Sequence, residues 1–289
     1  VTSRDWPAPA KLNLFLHVTG RRSDGYHELQ TAFQLIDLCD TLDFELDGEG
    51  RIERVAGNPL VAAEDDLVLR AARLLQRRSG VRLGARIALR KRIPLQGGLG
   101  GGSSDAATTL VALNELWGLG VGVDELASLG LELGADVPVF VRGRSAWAEG
   151  IGEDLLPIDL PQRWFVIIRP AVSVSTASVF QAPELTRNSP KITIRGFLQT
   201  GGRNDCEPVV AERYPEVRQA LDWLGQFGKA RMTGTGSCVF AAFLGQEAAQ
   251  RVVSTLPGGW EGFVARGLAV SPLLGRLEAE KQARRADLG

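Results

Sequence analysis

From Leu12 to Val18 the chain alternates, Leu12, Leu14, Leu16 and Val18 standing against Asn13, Phe15 and His17. A period of two marks a half-buried strand and puts Lys11 on the face of Asn13. Thr41 to Leu46 repeats the pattern, with Leu42, Phe44 and Leu46 opposite Asp43 and Glu45, and Ala85 to Arg90 predicts a third strand. Between them Val68, Ala71, Ala72 and Leu75 recur at helical spacing. Asp65 or Asp66 is placed to cap that helix and Gly80 to stop it.

A further helix is predicted after a glycine-rich stretch, with Ala106, Leu110, Leu113 and Trp117 on one face and Gly118 at its end. Ser103, Ser104 and Asp105 would supply its capping and acidic groups. A short helix capped by Asp124 and stopped at Gly134 precedes Ala135 to Phe140. Pro157 and Pro161 flank a boundary, beyond which Trp164 to Ile168 reads as a buried strand. Val217, Ala220, Leu221, Leu224 and Phe227 form a helical face after Pro215, and Ser237 to Phe243 reads as a strand. A helix over Gln246 to Ser254 and a strand over Trp260 to Val264 complete a βαβαβ-like half. The pattern predicts an α+β chain of two units, 1–160 and 161–289.

Composition changes this picture mainly by exclusion. Across 289 residues, 44% are hydrophobic and 23% charged, the proportions of a folded globular protein. Lys+Arg 33 against Asp+Glu 34 provides no global field for nucleic acid or an anionic membrane, so any anion site must be local. Cys39, Cys206 and Cys238 are too few and too widely spaced for a disulfide framework or a metal pattern, and a reducing compartment, the cytoplasm, is expected. His17 and His27 stand apart from any metal-binding motif, and no protein-held metal is expected. The N-terminal residues show no basic segment followed by an apolar core, and no apolar run is long enough to span a bilayer.

Candidate chemistry centres on Pro94-Leu95-Gln96-Gly97-Gly98-Leu99-Gly100-Gly101-Gly102-Ser103-Ser104. Without side chains the glycine backbone turns sharply and offers successive N–H groups to a phosphate, and the following helix N-terminus adds positive potential. Ser103 and Ser104 could donate to phosphate oxygens or reach a magnesium ion carried by the nucleotide. The stretch lacks the Gly-Lys-Ser/Thr ending of a P-loop and the spacing of a dinucleotide fingerprint. A flexible linker is the plain alternative, but linkers seldom stand directly between a strand-like segment and a patterned helix.

The pattern P-x-x-x-G-L-G-x-G-S-S resembles the signature of the GHMP superfamily, the kinases of galactose, homoserine, mevalonate and phosphomevalonate. Pro9-Ala10-Lys11-Leu12-Asn13-Leu14 and Thr233-Gly234-Thr235-Gly236-Ser237 resemble its two other motifs. With Asp24-Gly25-Tyr26-His27, the run 133–140 and Asn204-Asp205-Cys206-Glu207, the likeness from Trp6 to Leu274 is to the branch acting on 4-diphosphocytidyl-2-C-methyl-D-erythritol in the non-mevalonate isoprenoid pathway. Asp65-Asp66 departs from that branch, which favours Asp-Asn there.

The resemblance implies a ribosomal protein S5 domain 2-like N-terminal half and a ferredoxin-like α/β sandwich as the C-terminal half, with ATP and the acceptor meeting between them. It makes Lys11 and Asp136 catalytic, with Asp136 either removing the acceptor proton or orienting the hydroxyl and Lys11 holding both. It assigns Asn13 to the polyol, Tyr26 and Phe180 to stacking on cytosine with Thr176 nearby, and His27 to the base edge. ATP with magnesium carried by the nucleotide is the implied cofactor. The partner is a small-molecule acceptor, with neither nucleic acid nor membrane, for a monomer or weak homodimer. Asp24 to His27 argues against the other kinases of the superfamily, and the presence of Lys11 and Asp136 against a non-catalytic nucleotide binder.

Overall fold

The computed structural model describes residues 2–57 and 62–287. Two long strands, β1 (Thr2–Arg21) and β2 (His27–Asp47), form an antiparallel hairpin that pairs Lys11 with Leu35 and Asn13 with Phe33. β3 (Ile52–Ala56), helix α1 (Leu67–Ser79) and β4 (Gly84–Arg90) follow, with β4 antiparallel to β2 and parallel to β3. The Asp66 side chain accepts from the Val68 N–H at 2.8 Å, and Gly80 closes α1 in a left-handed conformation, as the sequence predicts.

Next come α2 (Gly101–Leu116), α3 (Val123–Leu131), α4 (Val137–Arg142) and the strand pair β5 (Ala146–Glu149) and β6 (Asp154–Pro157). The second half runs β7 (Trp164–Arg169), α5 (Thr176–Phe180), α6 (Ile194–Thr200), α7 (Cys206–Arg213), α8 (Pro215–Gly225), β8 (Arg231–Met232), β9 (Val239–Phe243), α9 (Gln246–Ser254), β10 (Glu261–Leu268) and α10 (Pro272–Asp287). Its strands lie in the order β10-β7-β9-β8, all antiparallel, which is the ferredoxin-like sheet. The predicted βαβαβ series is corrected in one respect: β8 and β9 form a hairpin around the turn that begins at Thr233. β10 also pairs with β2 through Gly267 and Leu268, joining the two halves in one continuous sheet.

Three predicted patterns differ from the structure for packing reasons. β1 is buried on both faces, because Trp147 and Phe197 pack on Phe15 on the side predicted to be open while Leu12 enters a core with Ile36 and Phe165. α2 is buried nearly all round, from Ser104 to Leu113, because α1, α4, α10 and the β1–β2 hairpin surround it. Gly100 occupies its N-cap and no side chain caps it, while α3 begins one residue before Asp124, with Gly122 as its N-cap. The last helix returns to the first half: Ser3 Oγ donates to Glu280 at 2.8 Å and the Arg276 guanidinium lies 4.5 Å from the Trp6 ring centre.

Candidate active site

The strongest local constraint on the glycine-rich turn is a division of labour between its carbonyls and its N–H groups. The Gln96 carbonyl accepts from Ser237 N–H at 3.4 Å, Gly97 from Cys238 N–H at 3.2 Å, Gly98 from Thr233 Oγ1 at 3.2 Å, and Leu99 from Lys11 N–H at 3.0 Å. No described residue accepts from the N–H groups of Gly97 to Gly100, and those of Gly101 to Ser103 open the first turn of α2, which has no intrahelical acceptor for them. The backbone therefore binds the protein through its oxygens and leaves a run of donors at a helix N-terminus, which is the arrangement an anion requires.

Glycine is obligatory at two points of this turn. Gly98 sits at φ 74°, and a Cβ there would stand 2.2 Å from the Thr233 carbonyl oxygen. Gly100, at φ 71°, backs onto the Phe140 ring, and its Cβ would lie 2.8 Å from it and 3.1 Å from Lys11 Cε. The turn at 233–236 is thus pressed against the glycine loop, and β1 runs directly beneath it.

A cleft of about 790 Å³ opens in front of the loop. Pro94 to Ser103, Lys11, Asn13, Tyr26, His27, Asp136, Thr176 and Phe180 all line it. Ser104 does not: it is wholly buried, and its Oγ has no hydrogen-bond partner among the described residues. At the floor, Lys11 Nζ lies 3.1 Å from Asp136 Oδ2 and donates to Asn13 Oδ1 at 2.6 Å. The Lys11 side chain is 4% exposed and that of Asp136 33%, so both line the cleft and the carboxylate is the more open of the two. Asp136 holds the N-cap position of α4 without capping it through its side chain, and so remains available to the cleft. Asn13 is fixed in turn by donating to Thr31 Oγ1 at 3.0 Å, while its own N–H donates to Thr233 Oγ1 at 2.9 Å.

The opposite wall carries the aromatic residues. The turn before β2, with Gly25 at φ 91°, leaves Tyr26 61% exposed. His27, the first residue of β2, stacks on Phe180 with ring centres 5.1 Å apart and planes at 24°. His27 is thus the ring in contact with Phe180, and Tyr26 lines the same cleft. Burial lowers the His27 pKa, and the charges of Arg187 and Arg21 lower it further. Thr176, the first residue of α5, shares a 2.9 Å hydrogen bond with Thr235 from the turn at 233–236.

Two elements of the site escaped the sequence reading. Lys91 lines the cleft beside Gly101 and its Nζ binds Asp105 at 2.7 Å and, more closely, Asp40. Its position just ahead of the loop was the available signal. Arg187 reaches His27 from a loop 160 residues away, and nothing local in the sequence marks it. Burial above all pushes each of the three thiols up to about 12, which leaves Cys238 inert although it touches the loop.

Residues 66–144 match the family model "GHMP kinases N terminal domain", and residues 188–261 match "GHMP kinases C terminal". A protein of Nitrosococcus oceani named 4-diphosphocytidyl-2-C-methyl-D-erythritol kinase is 59% identical over 94% of this chain and 98% of its own. One of the same name from Alkalilimnicola ehrlichii is 57% identical over 97% of each. The chain belongs to the GHMP kinases, in the 4-diphosphocytidyl-2-C-methyl-D-erythritol kinase family. A crystal structure of a 4-(cytidine 5'-diphospho)-2C-methyl-D-erythritol kinase superposes with TM-score 0.79 at 35% identity, covering 92% of this chain and 99% of that one. A mevalonate kinase from Methanococcus jannaschii, at TM-score 0.63 and 17% identity over 93% and 98% of the chains, shares the fold.

In this GHMP kinase the loop geometry sets a direct test. Gly98→Ala forces a left-handed alanine, which costs about 1–2 kcal/mol, and drives its methyl into the Thr233 carbonyl. The variant is expected to melt at lower temperature and to bind ATP more weakly, both readable by calorimetry with and without nucleotide.

Proposed function

We propose that the chain transfers the γ-phosphoryl group of ATP to the 2-hydroxyl of 4-diphosphocytidyl-2-C-methyl-D-erythritol, a step in non-mevalonate isoprenoid precursor synthesis. The observation that carries the reading is the Lys11–Asp136 pair, 3.1 Å apart, at the floor of a cleft whose opposite lip is a run of unengaged backbone N–H groups. Such a site holds a triphosphate by its oxygens and an alcohol by its hydroxyl, which is what in-line phosphoryl transfer demands. The acceptor oxygen bonds to the γ-phosphorus, the bond from that phosphorus to the β,γ-bridging oxygen breaks, and ADP leaves. Asp136 takes or directs the hydroxyl proton, and Lys11 faces the charge that builds on the transferring group. Magnesium arrives with the nucleotide and neutralises phosphate charge.

The wall of Tyr26, His27 and Phe180 receives the cytidine, and Asn13 the polyol. The unit 1–160 supplies the loop and the Lys11–Asp136 pair, and 161–289 closes the cleft with Thr176, Phe180 and the turn at 233–236. The enzyme works in the cytoplasm as a monomer or weak homodimer, needing neither nucleic acid nor membrane. Its three cysteines are unpaired, and among the described residues no helix is long and apolar enough to cross a membrane.

The test is incubation with ATP and magnesium beside separate acceptors: the cytidyl compound, mevalonate, homoserine and galactose. ADP and a phosphorylated product are expected with the first alone, and turnover of any other in its place refutes the assignment. His27→Ala is expected to raise the KM of the cytidyl acceptor by about tenfold, the worth of one lost hydrogen bond, with the KM of ATP unchanged.

A further inference from the structure

Arg187 uses four of its five guanidinium N–H donors within the protein. Its Nη2 donates to the carbonyls of Phe180 at 2.9 Å and Ala182 at 2.7 Å, and its Nη1 to that of Leu185 at 3.0 Å. Its Nε donates to His27 Nε2 at 3.1 Å. A guanidinium offers N–H donors and no acceptor, so the ring nitrogen facing it must present a lone pair. The single proton of a neutral imidazole then resides on Nδ1. A half-turn of the ring would keep it stacked on Phe180 but set Cε1–H against the Arg187 Nε–H in place of the Nε2 lone pair, so the hydrogen bond to Arg187 selects this edge. His27 lines the cleft, and no described residue hydrogen-bonds to its Nδ1.

We propose that Arg187 fixes His27 as the neutral Nδ1–H tautomer, and that the resulting donor makes the cleft select a cytosine over a uracil. The proposal rests on the reading that the wall of Tyr26, His27 and Phe180 receives the base. Cytosine presents a lone pair at N3 beside its O2, whereas uracil carries a hydrogen at N3. A donor fixed at Nδ1 pairs with the first and opposes the second. The opposite tautomer would set Nε2–H against the arginine N–H and offer uracil the acceptor it needs. Arg187 is therefore a positioning residue: it acts on the base through His27, and binds neither phosphate loop nor polyol.

Long-range imidazole NMR of the 15N-labelled protein reads the tautomer without ligand, with the His27 signals identified by their loss in His27→Gln. The wild type is expected to show a protonated Nδ1 and an Nε2 lone pair; a protonated Nε2 overturns the proposal. Arg187→Gln replaces a pure donor by an amide that can turn either way, and the His27 signals are expected to move toward the Nε2–H form. In the same variant the preference for CDP over UDP, measured by calorimetry, should fall by about tenfold, the worth of one hydrogen bond, with ATP affinity unchanged. Arg187→Lys, which still only donates, should keep the Nδ1–H form and most of the preference, and it serves if the glutamine variant does not fold. An unchanged tautomer in Arg187→Gln overturns the lock while leaving base binding by His27 intact. A shifted tautomer with an unchanged CDP to UDP ratio overturns the selection; if His27→Ala also leaves CDP affinity unchanged, the assignment of this wall to the base falls with it.

Discussion

Asp136→Asn is expected to lower kcat by at least about a hundredfold while leaving the fold and the KM of both substrates nearly unchanged. The side chain makes no capping hydrogen bond to α4 and faces the cleft, so little of the fold depends on it. Its charge is another matter. Asparagine keeps the shape and one oxygen but cannot accept a proton, and it sets an amide where Lys11 Nζ now meets a carboxylate at 3.1 Å. Acid–base assistance is worth about 10²- to 10⁴-fold, and lost orientation of the acceptor adds to it. Lys11→Met, which keeps the length of the buried stem, should also reduce turnover. If the two side chains act as a unit, the double variant will be little worse than the poorer single one. Independent, additive losses would separate their roles, and a near-wild-type kcat for Asp136→Asn would remove the carboxylate from the mechanism. Steady-state kinetics on the three variants decides between these outcomes.

The parts of this site that were legible in the sequence are those written locally. A run of glycines ahead of a helix announces free N–H donors, because left-handed turns such as those at 98 and 100 favour glycine, and the alternation from Lys11 to Asn13 does put both side chains on one face. The helix cap at Asp66 and its stop at Gly80 were legible for the same reason. What could not be read depends on partners far along the chain. The alternation in β1 indicates one buried face, but it carries no sign that Trp147 and Phe197 arrive to bury the other. Ala106, Leu110 and Leu113 look like the apolar face of a surface helix, yet α10, more than 150 residues later, covers the back of α2. Ser104 sits beside Ser103 in sequence, but α2 turns its hydroxyl into the interior. Arg187 and the partners of Lys91 are acidic or basic residues among many, and only the folded chain selects them.

Those partners of Lys91 give the second large effect, on stability. Lys91 stands between two buried carboxylates. Asp40 accepts from it and from the backbone N–H groups of Arg92 at 2.5 Å and Ile93 at 2.8 Å. Asp105 accepts from Lys91 Nζ at 2.7 Å, and its Oδ1 has no partner among the described residues. One ammonium cannot balance two buried carboxylates, and the less well satisfied of them retains its proton. Burial pushes the Asp105 pKa up to about 8; Lys91 opposes the rise and Asp40 adds to it. Burial pulls the Lys91 ammonium the other way, but the two carboxylates outweigh it and the net shift is upward. A folded-state pKa near 8 against an unfolded value near 3.8 means that the native protein binds the extra proton throughout that interval. Stability from this site is therefore complete below about pH 4 and is lost progressively as pH rises through about 8. The loss is on the order of a few kcal/mol, since each unit of pKa shift corresponds to about 1.4 kcal/mol. Asp105→Asn mimics the protonated acid permanently. Thermal unfolding between pH 5 and pH 9, with wild type and variant side by side, should show the two converging at low pH and the variant more stable at high pH. Parallel curves across that range would show that Asp105 does not titrate there, and a variant destabilised at every pH would show that its carboxylate is needed ionised.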